Sequence, residues 1–222
     1  MNQLNSIRNQ VFKLNSQEVN YPRFHSQFGE DRYIYKHLKL PKRGVFVDVG
    51  AGHPSYLSNT YFFEKNGWTG VCIDADPAQI QLLKKARANV ESAAISAQDG
   101  EINFSQAYFP DYSSSLNREA YKGRLKIPVK KTIKVPSYRL ETVLEKYQIG
   151  QIDLLDIDVE GTEIEVWQSF DYQKHQPKVV IIEYQTFGLA DNSQKIKEFF
   201  LNLPYKLVRV TCTNFIFLNV LA

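Results

Sequence analysis

Short apolar runs alternate with amphipathic stretches along most of the chain, and this alternation predicts its secondary structure. The apolar runs are rich in β-branched and aromatic residues, which is typical of strands buried on both faces of a parallel sheet. The stretches between them place apolar residues at helical spacing. Strands are predicted over residues 45–49, 71–74, 90–95, 102–105, 129–135, 152–159, 179–184, 205–211 and 214–221, and helices over 3–15, 30–37, 61–67, 77–86, 140–147, 163–170 and 196–200.

Alternating strands and helices favour right-handed crossovers and a mostly parallel sheet with helices on both faces. The last two strands are joined by a tight turn, so they must pair antiparallel. Asp99-Gly100 predicts a hairpin that leads into the strand over 102–105. Residues 1–40 are predicted to form an N-terminal helical extension, and residues 41–222 one α/β domain. The polar, poorly periodic segment 107–127 is predicted to be a mobile flap.

Composition indicates a soluble globular protein and excludes several classes of partner. The 222 residues are 43% hydrophobic and 23% charged, and a formal charge of +3 is too small to indicate a nucleic-acid partner. No apolar run approaches the roughly 20 residues that span a bilayer, and the N-terminus lacks the apolar core of a secretory signal. Cys72 and Cys212 lie in apolar runs, so buried thiols and a cytoplasmic location are expected. The helix over 3–15 could pack on the domain or on a second subunit, which leaves a homo-oligomer open.

The motif VFVDVGAGHP, residues 45–54, is the strongest functional signal in the chain. Gly50 and Gly52 follow the predicted strand at once and let a ligand approach the backbone closely. A dinucleotide-binding turn reads G-x-G-x-x-G, but its third glycine is replaced here by Ser55. Asp48 would repel a pyrophosphate, whereas it suits a positively charged ligand such as the amino group and sulfonium of S-adenosylmethionine. The motif therefore favours S-adenosylmethionine over NAD.

Asp74 ends the second predicted strand, where an acidic residue of a nucleotide-binding α/β fold accepts the ribose hydroxyls. Asp76 is a rival, but its place before Pro77 suits a helix N-cap better. Asn59, or Ser58 beside it, can cap the helix that follows the glycine turn. The stretch Ala94-Ile95-Ser96 would border the adenine. The predicted cofactor-binding residues are Asp48, Gly50, Ala51, Gly52, Asn59, Asp74, Ala75, Ala94 and Asp156.

A second acidic centre, DLLDIDVEGTE, covers residues 153–163. Asp156 and Asp158 alternate within the predicted strand and share one face, and Glu160 follows where the strand ends. Carboxylates in an apolar strand are costly to bury unless they are paired or functional. Three roles stay open for them: a general base, a ligand of a divalent metal, or a cap for the next helix. Glu183 on the next strand could join them.

His53 lies just after the glycine turn and is the type of side chain best suited to proton transfer near neutral pH. The predicted catalytic residues are therefore His53, Asp158 and Glu160. A magnesium ion held by the acids is an alternative, but it is not favoured because the sequence shows no full ligand set.

Several spaced motifs occur in a fixed order between Ser26 and Gln185: SQFGEDRYI, FVDVGAGHPSYLSNTYFFEKNGWTGVCIDADP, AAIS, VPSYRLETVL, and IDLLDIDVEGTEIEVW with IIEYQ. In this combination the chain resembles the FkbM-type S-adenosylmethionine-dependent methyltransferases. The resemblance implies a class I methyltransferase fold, which is a Rossmann-like, mostly parallel seven-stranded sheet with a terminal antiparallel hairpin and helices on both faces. It also implies O-methylation of a hydroxyl on a sugar, a glycan or a related natural product.

By position, the resemblance implies that Asp48, Gly50 and Gly52 surround the methionine part of the cofactor and that Asp74 binds the ribose. The acceptor oxygen is expected to attack the methyl carbon in line with the departing sulfur while a base takes its proton. Two other functions stay open. One is a non-catalytic α/β domain that keeps the cofactor pocket and only recognises a glycan or a partner. The other is a nicotinamide oxidoreductase, which Ser55 and Asp48 disfavour.

Overall fold

The computed structural model describes residues 23–107, 129–185 and 191–221. Its helices are α1 (Glu30–His37), α2 (Tyr61–Lys65), α3 (Pro77–Ala86), α4 (Leu140–Lys146), α5 (Glu163–Gln168), α6 (Tyr172–His175) and α7 (Ser193–Phe200). Its strands are β1 (Val45–Val49), β2 (Thr69–Asp74), β3 (Val90–Ser92), β4 (Ala94–Ile95), β5 (Gly100–Ala107), β6 (Val129–Tyr138), β7 (Leu154–Ile157), β8 (Val179–Glu183), β9 (Tyr205–Val210) and β10 (Asn214–Asn219). The predicted helix over 3–15 lies outside the described residues, as does the predicted flap over 107–127 apart from Ala107.

A seven-stranded sheet forms the centre of the domain, with the strand order β3-β2-β1-β7-β8-β10-β9. The strands from β3 to β8 in this order are parallel, whereas β10 pairs antiparallel with both β8 and β9. The predicted fold class, a mostly parallel seven-stranded sheet with a terminal antiparallel hairpin, is therefore confirmed. The chain builds the sheet outwards from its middle, since β1 to β3 run to one edge and β7 and β8 towards the other.

The first face of the sheet is covered by α1, α2 and α3. Phe46 and Ile181 of the sheet share an apolar core there with Ile34 of α1, Phe63 of α2 and Leu83 of α3. Successive strand residues alternate between faces, so every second strand residue belongs to this core.

The second face is covered by α4, α5 and α7. Val47 and Leu155 of the sheet share a core there with Leu144 of α4, Trp167 of α5 and Phe200 of α7. Both faces are thus apolar, which explains why the strands are continuous apolar runs in the sequence.

The acidic residues of β1 and β7 interrupt the first core at the same level. The parallel register aligns Asp48 of β1 with Asp156 of β7. Each follows a first-face residue, Phe46 or Leu154, by two positions, so both carboxylates point to the first face. Asp48 is 3% exposed and Asp156 is 4% exposed, so both must be compensated by groups within the protein.

The predicted third strand over 90–95 is wrong in one respect, because it forms two strands in two sheets. β3 belongs to the large sheet, whereas β4 belongs to a separate sheet with the order β4-β6-β5. The predicted hairpin at Asp99-Gly100 is also wrong, since β6 lies between β4 and β5 and pairs with both. A short apolar run shows that its residues are buried, but it does not show in which sheet.

Two further predictions need correction. β7 ends at Ile157, so Asp158 lies one residue past the strand, although its N–H still donates to the Val49 carbonyl oxygen at 2.9 Å. Cys72 is buried as expected, but the Cys212 thiol is exposed because this residue lies in the turn between β9 and β10. The apolar residues around Cys212 belong to the strands on either side of the turn.

The helix α1 lies within the predicted N-terminal extension and packs directly on the domain. Ile34 is fully buried in the first core. Glu30 accepts hydrogen bonds from Thr211 Oγ1 at 2.8 Å and from Asn214 Nδ2 at 3.0 Å, which join α1 to the turn after β9 and to the start of β10. A domain boundary near residue 40 stays a prediction. Among the described residues, no helix is both long and apolar enough to cross a membrane.

Gly50 is required by packing as well as by backbone conformation. Its φ of 84° lies in the left-handed region. A Cβ at this position would lie 1.7 Å from the Asp158 carbonyl oxygen, so the turn after β1 rests directly on the backbone after β7. Gly29 has a nearly identical φ of 80°, but no atom lies within 4 Å of where its Cβ would be. A comparison of alanine substitutions at these two glycines therefore distinguishes the cost of a left-handed φ from the cost of steric overlap.

We expect Gly50→Ala to destabilise the domain more than Gly29→Ala does. Gly29→Ala should cost about 1–2 kcal/mol, the usual penalty for a left-handed residue that carries a Cβ. Gly50→Ala bears the same penalty and also overlaps fixed backbone, and overpacking typically costs about 1–3 kcal/mol more. Urea unfolding of the two variants measures the difference. Equal losses would show that the contact with Asp158 imposes no constraint.

Candidate functional site

The carboxyl edge of the parallel strands is where this sheet can bind a ligand. The strand order diverges between β1 and β7, which opens a crevice above their ends. The glycine turn of residues 50–52 follows β1, and Asp74 ends β2. Asp158 follows β7, and Glu183 ends β8. The fold thus brings the glycine turn and both acidic centres to a single edge.

Hydrogen bonds tie the glycine turn to the end of β2. The N–H groups of Gly50 and Ala51 both donate to the Ile73 carbonyl oxygen, at 2.9 and 3.1 Å. The Gly52 N–H donates to Asp74 Oδ2 at 2.8 Å, and Gly52 has a left-handed φ of 54°. Asp74 therefore fixes the shape of the turn and stays partly exposed beside it.

Asp74 keeps the capacity to bind a ligand while it holds the backbone. The Asp76 N–H donates to its other oxygen, Oδ1, at 2.7 Å. Burial raises the pKa of Asp74 to about 6, and the two backbone hydrogen bonds oppose that shift. Each carboxylate oxygen has a second lone pair, so ionised Asp74 can also accept from a pair of hydroxyls.

The two residues after Asp74 have different roles: Ala75 makes an apolar contact and Asp76 caps a helix. Asp76 is the N-cap of α3, as predicted, and its Oδ1 accepts from the Ala78 N–H at 2.9 Å. Ala75 packs in a small apolar cluster with Ala94. Ala94 is buried, so the accessible apolar surface beside Asp74 comes from Ala75.

The segment SNT, residues 58–60, compensates both buried carboxylates of the sheet. The Thr60 hydroxyl donates to Asp48 Oδ2, and Asn59 Nδ2 donates to Asp156 Oδ1 at 3.2 Å. Burial and the nearby charge of Asp48 raise the pKa of Asp156 well above its usual value. Asn59 and Asp156 are themselves buried, and their contact joins the loop before α2 to the middle of the sheet.

The N-cap of α2 is Thr60, without a side-chain cap hydrogen bond, so the prediction that Ser58 or Asn59 caps this helix is wrong, although the Ser58 side chain lies close to the helix start. The Ser58 Oγ accepts from the N–H groups of Thr60 and Tyr61, at 3.3 and 3.1 Å. α2 begins at Tyr61, so this hydroxyl binds a donor in the first turn of the helix.

Arg87 is a residue of the site region that the sequence analysis did not identify. Its side chain is fully buried and follows the last turn of α3. Its Nε donates to Glu64 Oε2, its Nη2 to Thr60 Oγ1 at 2.7 Å, and its Nη1 lies 3.9 Å from Asp48 Oδ2. A single arginine at a helix end has no periodicity or spacing that marks it as functional.

Three carboxylates converge where β7 and β8 end. Asp158, Glu160 and Glu183 each contribute an oxygen, and these oxygens all lie within 4.8 Å of one another. Burial raises the pKa of Asp158 to about 6, while a hydrogen bond with Glu183 lowers it. Burial and the charge of Asp158 raise the pKa of Glu183 well above its usual value. In the hydrogen bond between the two groups, the higher pKa favours Glu183 as the proton donor and Asp158 as the acceptor.

The same three carboxylates have the hard oxygen donors that Mg²⁺ or Ca²⁺ takes, so they could hold a cation. The proton on Glu183 offers another way to reduce the repulsion between them, and it requires no metal. Glu160 has a left-handed φ of 60°, and Gly161 follows with 114°. This sharp bend turns the Glu160 carboxylate back towards the end of β8.

His53 lies on the surface and uses its ring to hold its own turn. Its Nδ1 accepts from the N–H groups of Ser55 and Tyr56, at 3.2 and 2.9 Å. With the Nδ1 lone pair engaged, a neutral ring carries its proton on Nε2. The geometry favours a structural role over that of a base.

The predicted cofactor residues differ in accessibility. Gly50, Gly52, Asp74 and Ala75 are partly exposed at the edge of the sheet. The buried members of the set are Asp48, Ala51, Asn59, Ala94 and Asp156. The accessible part of the predicted site is therefore the turn and the end of β2, with buried polar contacts beneath it.

Two solved structures are similar to this chain at low sequence identity. A chain of the fibrillarin/Nop5p complex aligns over 86% of this chain and 79% of its own length, with 11% identity and a TM-score of 0.44. A TehB-like SAM-dependent methyltransferase from Corynebacterium glutamicum aligns over 97% and 95%, with 10% identity and a TM-score of 0.45. No curated protein matches the chain in sequence.

The family comparison is decisive. The model of the methyltransferase FkbM domain matches residues 48–207, which include the glycine turn, Asp74 and the acidic centre after β7. This match covers most of the chain and agrees with the parallel sheet and its terminal antiparallel hairpin. The chain therefore belongs to the FkbM methyltransferase domain family.

Proposed function

We propose that this protein transfers a methyl group from S-adenosylmethionine to a hydroxyl of a sugar, a glycan or a related natural product. The observation that carries the proposal is the hydrogen bond from Gly52 to Asp74, which joins the bare glycine turn and a carboxylate in one cradle. A protein of the methyltransferase family with such a cradle at the divergence of its sheet has the parts to hold a nucleoside with a cationic tail.

Each part of the cradle has a distinct task. Gly50 and Gly52 present backbone without side chains, so a ligand can approach closely. Asp74 accepts the two ribose hydroxyls, and Ala75 contacts the adenine. Asp48 supplies negative charge below the turn for the amino group of the methionine part. S-adenosylmethionine, when bound, supplies an electrophilic methyl group on a sulfonium.

We assign the base to Asp158. The acceptor hydroxyl attacks the methyl carbon, the carbon–sulfur bond breaks, and sulfur keeps the electron pair. Asp158 takes the hydroxyl proton, because Glu183 holds the neighbouring proton and leaves Asp158 ionised near neutral pH. Glu160 lies beside it and orients the acceptor. His53 is the weaker candidate, since its Nδ1 is already engaged.

Cofactor choice tests the proposal most directly. We expect S-adenosylmethionine and S-adenosylhomocysteine to bind with micromolar affinity and NAD not to bind, because Asp48 repels a pyrophosphate. Isothermal titration calorimetry with the full chain measures all three. Binding of NAD without any response to S-adenosylhomocysteine would refute the proposed function.

The pKa of Asp74 predicts a pH dependence of cofactor binding. Its value of about 6 lies above that of an unperturbed aspartate, so Asp74 loses its charge as the pH falls through 6. Affinity for S-adenosylhomocysteine should be full above pH 7 and fall roughly tenfold by pH 5, since a hydrogen bond to a charged group contributes about 1.5–3 kcal/mol.

Asp74→Asn should bind weakly at both pH values and lose most of this dependence. Glu101→Gln removes an exposed carboxylate from the separate sheet and serves as the matched control. Calorimetry at pH 5, 6, 7 and 8 compares the three proteins. A pH profile of Asp74→Asn parallel to that of the original chain would assign the dependence to another group.

The base assignment predicts separate effects on rate and on binding. Asp158→Asn should lower turnover by about 10²–10⁴-fold, the usual size for loss of a general base, and leave affinity for S-adenosylhomocysteine largely intact. Transfer of a radiolabelled methyl group to a panel of sugars, sugar nucleotides and polyhydroxylated natural products identifies an acceptor and then measures the rate. His53→Ala should retain turnover.

Chelation distinguishes the metal alternative in the same assay. Turnover that EDTA leaves unchanged supports a base that acts without a metal. Loss with EDTA and recovery with Mg²⁺ would instead assign the three carboxylates to a cation. Unchanged turnover in Asp158→Asn with and without EDTA would exclude both roles.

A further inference from the structure

Arg87 is the buried cation nearest to Asp48, and its contacts reach every part of the loop that follows the glycine turn. Its Nη1 donates to the Pro54 carbonyl oxygen at 3.1 Å and to Ser58 Oγ at 3.3 Å. Its Nη2 donates to Thr60 Oγ1 at 2.7 Å. One guanidinium therefore holds the loop of residues 54–60 at three points along its length.

Thr60 relays the position of Arg87 to Asp48. Its hydroxyl accepts from Arg87 Nη2 and donates its own proton to Asp48 Oδ2. The guanidinium itself lies 3.9 Å from the same oxygen, so Asp48 receives a hydrogen bond and a compensating charge together. Both contacts are on Oδ2, which leaves Oδ1 for a ligand.

Arg87 is itself held from two directions. Its Nε pairs with Glu64 Oε2, and the other oxygen of Glu64 accepts from the Ala88 N–H at 2.9 Å. Its guanidinium carbon lies 5.3 Å from the centre of the Phe46 ring and 5.5 Å from that of Tyr61. The side chain thus has one defined position, which a longer or more flexible cation could not reproduce.

We propose that Arg87 is a positioning residue of the cofactor site, which compensates the buried Asp48 carboxylate and holds the loop of residues 54–60 against it. The inference rests on the proposed cofactor site, because it gives Arg87 the task of preparing Asp48 for the ligand's amino group. Arg87 does not touch the ligand. Asp74, by contrast, lies at the accessible edge of the sheet and is proposed to bind the ligand directly.

The electrostatic surroundings show why Asp48 needs such a partner. Burial is the main cause that raises the pKa of Asp48, and Arg87 and the Thr60 hydroxyl oppose it. The titratable or charged groups that act on or with Asp48 are Arg87, Glu64, Cys72, Asp74, Asp156 and Asp158. Among these groups Arg87 is the one cation, so its loss should raise the pKa of Asp48 further.

Binding of S-adenosylhomocysteine by the full chain, measured by calorimetry between pH 6 and 8.5, tests the inference. Arg87→Met should bind at least tenfold more weakly at pH 7 and regain affinity as the pH rises and Asp48 ionises. Arg87→Met combined with Asp48→Asn should bind weakly without that regain. Arg87→Lys keeps the charge without the fork of donors and should fall between the original chain and Arg87→Met.

Lys85→Met is the matched control, because it removes a cation from the last turn of the same helix at an exposed position. It should bind as the original chain does at every pH. If Arg87→Met fails to fold, Thr60→Val decides, since it breaks the relay to Asp48 without leaving Glu64 unpaired. Thr60→Val should show a smaller loss of affinity with the same dependence on pH.

A loss of affinity that is equal at every pH in the folded variants would overturn the inference, because it would indicate a purely structural role. If the original protein still binds S-adenosylhomocysteine in that case, the proposed function stands and only the role of Arg87 is refuted. Carboxyl ¹³C NMR, with Asp48→Asn to assign the signal, gives a readout that needs no ligand. The titration midpoint of Asp48 should move upwards in Arg87→Met, and an unmoved midpoint would also overturn the inference.

Discussion

The burial of carboxylates on one face of a parallel sheet is the constraint on which the rest of this structure depends. Asp48 and Asp156 are neighbours in register and almost fully buried. Each charge would be costly in an apolar core unless it is compensated or neutralised. The protein uses both solutions side by side. Asp48 has a cation and a hydroxyl, whereas Asp156 pairs with an amide and has a pKa that burial raises towards the neutral form.

These solutions explain the segment between β1 and α2. Ser58, Asn59 and Thr60 are consecutive, and each satisfies a different polar group: the helix start, Asp156 and Asp48. The segment is therefore shaped by the carboxylates beneath it. Because the same segment continues from the glycine turn, compensation of the buried charges also fixes the backbone of the proposed cofactor site.

A contact between backbones joins the two halves of the site. Gly50 lies so close to the Asp158 carbonyl oxygen that no side chain fits between them. The turn that carries the proposed cofactor contacts and the bend that carries the proposed base are therefore in direct contact. Their relative position needs no mobile side chain to maintain it, which suits a reaction that depends on holding oxygen and methyl carbon at a set distance.

Much of this fold could be predicted from the sequence, because parallel strands and their helices leave strong periodic signals. β1 and α1 were predicted to the residue, and Asp76 was identified as a cap from its place before Pro77. The separate sheet could not be predicted, since pairing between β4 and β6 joins segments far apart in the chain. The position of Asp158 past the end of β7 was missed for a related reason, because alternation does not show where pairing stops.

The candidate site shows the same limit, because residues marked by their local sequence could be proposed and a residue defined by distant contacts could not. The glycine turn, Asp74 and the acids after β7 are marked by residue type and by local spacing, so the sequence was enough to propose them as a candidate site. Arg87 has meaning only through Asp48 and Glu64, which are 39 and 23 positions away in the chain. His53 illustrates the converse, because its place beside the turn suggested a base until its Nδ1 was found to hold that turn.

Asp48 shows how a structural and a functional demand meet in one residue. If Asp48 served stability alone, a neutral side chain would avoid the burial of a charge and the arginine that compensates it. The retained pair is instead asymmetric, with the protein's contacts gathered on Oδ2. A carboxylate that is held from one side keeps its orientation while its other oxygen is directed elsewhere. That arrangement costs stability in a core and is useful where a cationic group must be received, which is the role proposed for Asp48 beneath the glycine turn.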